Sequence, residues 1–163
     1  MKLTYKGDYA LKAVLDMAIH YGEELVTSHD LARRIDAPVK FFEQVLMELK
    51  KGGIVKSKRG NEGGYLLSKP PSQITLGDVV RIIDGPIEPI SCVKGHYTGC
   101  VDINQCVFRN IWQRVYQATS DIIDHITFED LVSEVKDRKR VFPVLILSRS
   151  CSSYYSFLTI QSK

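Results

Sequence analysis

The sequence predicts a mainly α-helical fold with one small β-hairpin, and three features of its patterning lead there. Apolar residues recur at helical spacing in successive stretches, most of them closed by Gly or Pro. After the third stretch the period changes: Ile54-Val55-Lys56-Ser57-Lys58 is short and β-prone, RGNEGG is a turn, and Tyr65-Leu66-Leu67 returns as a second strand. The longest helical pattern starts only at about Gln105, well beyond that hairpin.

Each element has its own justification. Between Tyr5 and Tyr21, residues Tyr9, Ala10, Ala13, Val14, Met17 and Ala18 share one stripe, and Gly22 ends the helix. In VTSHDLARRI, Thr27 or Ser28 caps the free amides while Leu31, Ala32 and Ile35 face inward, and the helix stops near Asp36. Past the Ala37-Pro38 break, VKFFEQVLMELKKGG carries Phe42, Val45, Leu46 and Leu49 on one side and ends at Gly52-Gly53. Two short helices joined by a tight turn, then a hairpin, describe a winged helix-turn-helix with Arg59 at the start of the wing. RGNEGG is not a phosphate loop, because it leads into a strand rather than opening a helix.

Pro70-Pro71 interrupts the chain, and ITLGDVVRIIDGP reads as a helix from about Thr75 to Ile83. The long pattern then places Phe108, Ile111, Trp112, Val115, Thr119, Ile122 and Ile126 at alternating spacings of three and four. Such a stripe suits a long dimerisation helix, and a two-fold dimer sets two readers about 34 Å apart along one face of a duplex. Thr127 caps a last helix, TFEDLVSEVKDRKR, after which the chain is apolar and Ser-rich without helical period. The expected organisation is a winged helix-turn-helix DNA-binding domain over 1–70, a cysteine loop with dimerisation helices over 71–136, and a tail of unknown role over 137–163.

Composition sets the outer bounds. The 163 residues are 44% hydrophobic and 25% charged, which is ordinary globular composition, with a net charge of +3. Basic residues cluster at Lys50, Lys51, Lys56, Lys58 and Arg59, as a nucleic-acid footprint requires. The start, MKLTYKGDYALKAVLDMA, has no signal-peptide pattern, and apolar runs are broken by charges well short of the ~20 residues of a membrane span. A cytoplasmic protein with a double-stranded DNA operator as partner, and no membrane association, is expected. No nucleotide-binding loop or Ser/His/Asp arrangement points to an enzyme, and electron transfer has no second cofactor motif to support it.

The loop SCVKGHYTGCVDINQC gathers Cys92, Cys100 and Cys106 with His96, Tyr97 and Asp102. In a reducing compartment, close cysteines are metal ligands or redox sensors before they are disulfides. Seven and then five residues separate the three, unlike the CxxC spacing of a zinc ribbon. Three thiolates and one further ligand suit an iron–sulfur cluster, with zinc or a thiol switch as alternatives. The fourth cysteine, Cys151, lies in the tail and is taken as unrelated.

On the outward side of the third helix, Lys40, Phe41, Glu43 and Gln44 are candidate base or phosphate contacts: Gln44 suits adenine, Glu43 cytosine N4, Lys40 guanine or phosphate. Thr27, Ser28 and Lys58 are candidate phosphate contacts, and Arg59 a candidate minor-groove arginine.

The segments LTYKGDYALKAVLDMA, FFEQVLMELKKGGIVKSKRG, GGYLL and ITLGDVV, followed by the three-cysteine loop and an aromatic-bearing helix, resemble the Rrf-two (Rrf2) family of bacterial transcription regulators, in particular its IscR-like and NsrR-like iron–sulfur members. The resemblance covers about residues 1 to 136. It implies a homodimer in which a [2Fe-2S] or [4Fe-4S] cluster on the cysteine loop controls DNA binding. In the IscR-like pattern a histidine stands three residues after the last cysteine, where this sequence has Arg109, which cannot ligate iron. The NsrR-like pattern takes an aspartate from the partner's first helix; Asp8 matches it, with His96 the next candidate. Lys40 and Phe41 stand where the IscR-like subgroup has serine and tyrosine, and Arg59 matches the wing arginine. The alternative is a cluster-free regulator of the same fold, using a cysteine thiol switch or an enzyme of sulfur metabolism as partner.

Overall fold

Threonine starts most of the helices. In the computed structural model, which describes residues 3–22, 25–60, 63–93, 97–100 and 105–141, the elements are α1 (Tyr5–Ile19), α2 (Ser28–Ile35), α3 (Val39–Lys51), β1 (Val55–Lys58), β2 (Gly64–Leu67), α4 (Leu76–Asp84), α5 (Val107–His125) and α6 (Phe128–Val141). Single 3-10 turns at Pro71–Gln73 and Ser91–Val93 were not foreseen from the sequence. Most of the tail lies outside the described residues.

The N-termini of α2 and α4 are closed by the same device. The Thr27 hydroxyl accepts from the Asp30 amide while the Asp30 carboxylate accepts from the Thr27 amide, and Thr75 with Asp78 repeats it. Thr127 and Asp130 do the same at α6. At α1 the third helical position is Gly7, which has no side chain to reach back. There the carboxylate comes from Asp84, at the far end of α4: it accepts from the Thr4 amide at 2.9 Å and from the Thr4 hydroxyl, while Thr4 Oγ1 accepts from the Gly7 amide at 3.1 Å. A Cβ on Gly7 would collide with that carboxylate, so the glycine and the distant aspartate are one arrangement.

One core holds these elements together. Ala10, Ala13, Val14 and Met17 of α1 meet Leu31, Phe42, Val45, Leu46 and Leu49 of the helix-turn-helix, and the same cluster continues through Ile54, Val55 and Leu67 to Ile74, Val79, Phe128 and Val132. The α2–α3 turn passes through Asp36, whose φ of 56° is left-handed, a conformation short polar side chains tolerate. The wing is antiparallel, pairing Val55 with Leu67 through Lys58 with Gly64. It is tied to the segment before α2 by reciprocal Val26–Tyr65 backbone hydrogen bonds, both 2.9 Å. A second pair of backbone bonds, Leu76 to Ile126 and Phe128 to Ile74, fixes the start of α4 beside the start of α6.

Replacing Asp84 with Ala is expected to cost about 1–2 kcal/mol in a urea unfolding curve, the range for losing a helix cap. Gly7→Ala is expected to be at least as harmful alone, and milder in the Asp84→Ala background. Strict additivity of the two would show that they do not share a site.

Candidate functional site

Helix α3 presents one face to the core and the other to solvent. Phe42, Val45, Leu46 and Leu49 are fully buried, whereas Lys40, Glu43 and Gln44 are exposed. Phe41, expected on the outward side, is instead half-buried, edge-on to Tyr9 at 5.2 Å and to Phe42 at 6.1 Å. Its neighbour α1 overhangs the start of α3 and covers that ring, which the period of α3 alone does not reveal. Met47, expected from the sequence neither among the buried nor among the DNA-facing residues, is 50% exposed.

Two short polar contacts fix α3 relative to its surroundings. Lys6 Nζ lies 2.6 Å from Glu48 Oε1, joining the first turn of α1 to α3. Lys50 Nζ donates to Ser57 Oγ at 2.6 Å, bracing the end of α3 against β1. Lys50, counted in the basic cluster, therefore helps set the angle between α3 and the wing. Lys58 and Arg59 are exposed where the wing begins. Thr27 spends its hydroxyl on the cap of α2, and its hydrogen bonds hold the Asp30 carboxyl below the usual range. Ser28 is half-buried at the first position of α2.

The cysteine loop runs from α4 to α5. Cys92 is half-buried in the 3-10 turn, Cys100 is exposed, and Cys106 is half-buried at the N-cap of α5, where no side chain caps the first amides. All three are free. Arg109 Nε donates to the Cys92 carbonyl at 3.0 Å, lacing one end of the loop to α5. Asp8 stands in the first turn of α1, paired with Lys12 at 2.7 Å and partly exposed. His96 and Asp102 lie outside the described residues. Among the described residues, no three His, Cys, Asp or Glu side chains converge closely enough to hold a metal ion.

Helix α5 has two dissimilar faces. Arg81 of α4 makes a two-pronged ion pair with Asp124, at 2.6 and 2.8 Å. Gly77 lies so close to that carboxylate that a Cβ there would overlap it. The other face leaves Val107, Phe108, Ile111, Trp112, Val115 and Ile122 exposed, from 40% to 71%. None of the helices is long and apolar enough to cross a membrane among the described residues.

A helix-turn-helix whose second helix runs directly into a braced hairpin is a winged-helix DNA-binding module. Over residues 3–134 the chain matches the sequence model of a family described as "Rrf2: Iron-dependent Transcriptional regulator". It is 35% identical over 144 residues to the HTH-type transcriptional regulator IscR of Yersinia pseudotuberculosis, spanning 85% of this chain and 87% of that one. Its fold is similar to that of CymR, the global cysteine regulator of B. subtilis, with a TM-score of 0.69 at 32% identity over 82% of this chain and 98% of that one. IscR of T. potens gives a TM-score of 0.68 at 29% identity, over 85% and 91%. The chain belongs to the Rrf2 family of transcriptional regulators, DNA-binding proteins rather than enzymes.

The Arg81 hydrogen bonds hold the Asp124 carboxyl below the usual carboxylate range. A carboxyl lowered on folding stabilises the fold above about pH 4 and loses that contribution as pH falls through its folded value. The pair is more than a third exposed, so screening limits it to about 1 kcal/mol. Asp124→Asn is expected to lose roughly that amount at pH 7 and to show a shallower fall in stability between pH 5 and 3 than the parent chain, read from urea midpoints. Parallel pH profiles would contradict this assignment.

Proposed function

We propose that this regulator binds its operator as a homodimer and that an iron–sulfur cluster on the cysteine loop controls that binding in response to redox state, iron–sulfur status or nitric oxide. The observation that carries the reading is the donor set: three free cysteines on one loop, at the uncapped N-terminus of the helix that also bears the exposed apolar face. Thiolates match iron's preference, and the positive end of the α5 dipole favours an anionic group beside it. The residue types present suit the group, although among the described residues the three thiols do not converge on one point in this structure. Cys92, Cys100 and Cys106 would hold it, with Asp8 of a second copy as fourth ligand and His96 as the alternative. When bound, it supplies reactivity toward oxidants and nitric oxide.

The rest is the chain's own work. Arg109 fastens the Cys92 end of the loop to α5, Arg81 and Asp124 fasten α5 to α4, and Asp84 of α4 holds the first turn of α1, where Asp8 stands. Lys6 then reaches α3 through Glu48. On the DNA, Lys40, Glu43 and Gln44 read the major groove, Arg59 enters the minor groove, and Ser28 and Lys58 meet phosphates, while Thr27, whose N–H and O–H both donate to Asp30, holds the start of α2 in place. Phe41 supports this face by packing on Tyr9. The similarity to a cysteine regulator favours a second reading, in which the same loop is a cluster-free thiol switch.

Anaerobic purification separates the two. The cluster reading expects visible absorption that disappears in Cys92→Ala together with cluster-dependent control of an operator shift, and a shortened cluster lifetime in Asp8→Ala. A colourless protein whose operator affinity follows thiol oxidation would establish the second reading instead. Independently, Lys58→Ala is expected to reduce the salt dependence of DNA binding by about one unit of slope, whereas Arg59→Ala is expected to relax preference at an A·T-rich position.

A further inference from the structure

Helix α3 turns by about 100° per residue, so the direction opposite its four buried side chains is fixed by geometry. Phe42, Val45, Leu46 and Leu49 define the inward pole. The outward pole falls, within about 40°, along Lys40, Gln44, Met47 and Lys51, with Glu43 to one side. Three of these four are what a groove-reading face needs: two cations and an amide. The fourth is a thioether, 50% exposed, the one large apolar side chain of α3 left in solvent. Among the described residues, those of α1, α2, α4 and β1 that pack on α3 leave half of this side chain in solvent.

We infer that Met47 is a specificity residue that recognises the 5-methyl group of a thymine in the major groove. The inference rests on the reading of α3 as the helix that enters that groove. The edges of base pairs there carry donors, acceptors and a single apolar feature, the thymine methyl. A methionine offers no donor and only a weak acceptor, so the feature it matches is that methyl. Its unbranched chain lets the side chain adjust its reach across the groove. Spacing adds a prediction: three residues of helix advance about 4.5 Å and one base step about 3.4 Å. The thymine read by Met47 therefore lies one or two base pairs from the base read by Gln44.

The test uses the full chain, with and without prior reconstitution with iron and sulfide, and a duplex selected by it from a random-sequence pool. Each thymine of the selected site is replaced singly by uracil, which removes only the methyl. For the parent chain, one such replacement is expected to weaken binding about fourfold, the magnitude for exposing one buried methyl. It is expected to leave the affinity of Met47→Ala unchanged and to be felt still by Met47→Leu. Gln44→Ala marks the neighbouring position. If uracil is tolerated at every position by the parent chain, or weakens the parent and Met47→Ala equally, the methyl contact is refuted while the α3 reading stands. If Gln44→Ala and Lys40→Ala leave both the affinity and the selected sequence unaltered, α3 is not the reading helix and both proposals fall. Met47 is on the surface, and matched thermal melts of the variants establish that the differences are not due to unfolding.

Discussion

The cap that Asp84 places on α1 helps fix how the helix with the most neighbours sits against the rest. It joins residues 80 positions apart, and it works only because Gly7 leaves room for a carboxylate where a side chain would otherwise stand. The consequence reaches beyond two helices. α1 touches α2, α3, α4, α6 and β2, and it accommodates so many neighbours because Gly7, Ala10, Ala13 and Ala18 keep its inward side narrow. Fixing the rotation of α1 about its axis therefore fixes which side chains meet Phe42, Phe128 and Val79. Lys6, one residue before Gly7, carries the same constraint to α3 through Glu48.

Magnitudes separate what holds the fold from what a regulatory event is able to alter. Each fully buried large side chain, such as Phe42, Leu46 or Phe128, contributes about 1.5–3 kcal/mol, and the cluster contains many of them. The polar contacts between the cysteine loop and α3 are of another size. The Arg81–Asp124 pair is more than a third exposed, and the Lys6–Glu48 pair about a third exposed; pairs of this kind are worth about 1 kcal/mol or less. Coupling energies between regulatory sites are typically about 1–3 kcal/mol. Contacts of that strength rearrange without unfolding the core, so regulation through them is compatible with a stable domain.

Much of the fold is legible in the sequence because it is local. T-x-x-D at 27–30, 75–78 and 127–130 marks three helix starts by residue type and spacing alone, and the period of α3 identifies all four of its buried residues. Contacts between distant segments are not legible. Nothing near Thr4 announces Asp84, and nothing in Leu25-Val26 announces its pairing with Tyr65. Phe41 shows the limit of periodicity: its place on the wheel is at the flank of α3, and only the crossing of α1, through Tyr9, decides that it is half-buried. Met47 shows the converse: its apolar type suggests a core residue, but the period places it opposite the core, and there it is exposed. At the cysteine loop, the sequence supplies the donors and the structure places two of them, Cys92 and Cys106, against the start of α5, while His96 lies outside the described residues.

The position of that loop also bears on why one helix carries both the apolar face and the last thiol. Val107 and Phe108, at 71% and 64% exposure, are the most open apolar residues of α5, and they directly follow Cys106. The opposite face of the helix is turned to α4 through Asp124, and in this arrangement none of the described residues buries them. An apolar row of this length is unfavourable in water, and such surfaces commonly serve as contact sites. If a second copy covers it, the covered surface begins at the cysteine loop, and a ligand held there would sit at the edge of the subunit contact. Ligation and pairing would then bear on the same few residues, so a change in one necessarily changes the free energy of the other.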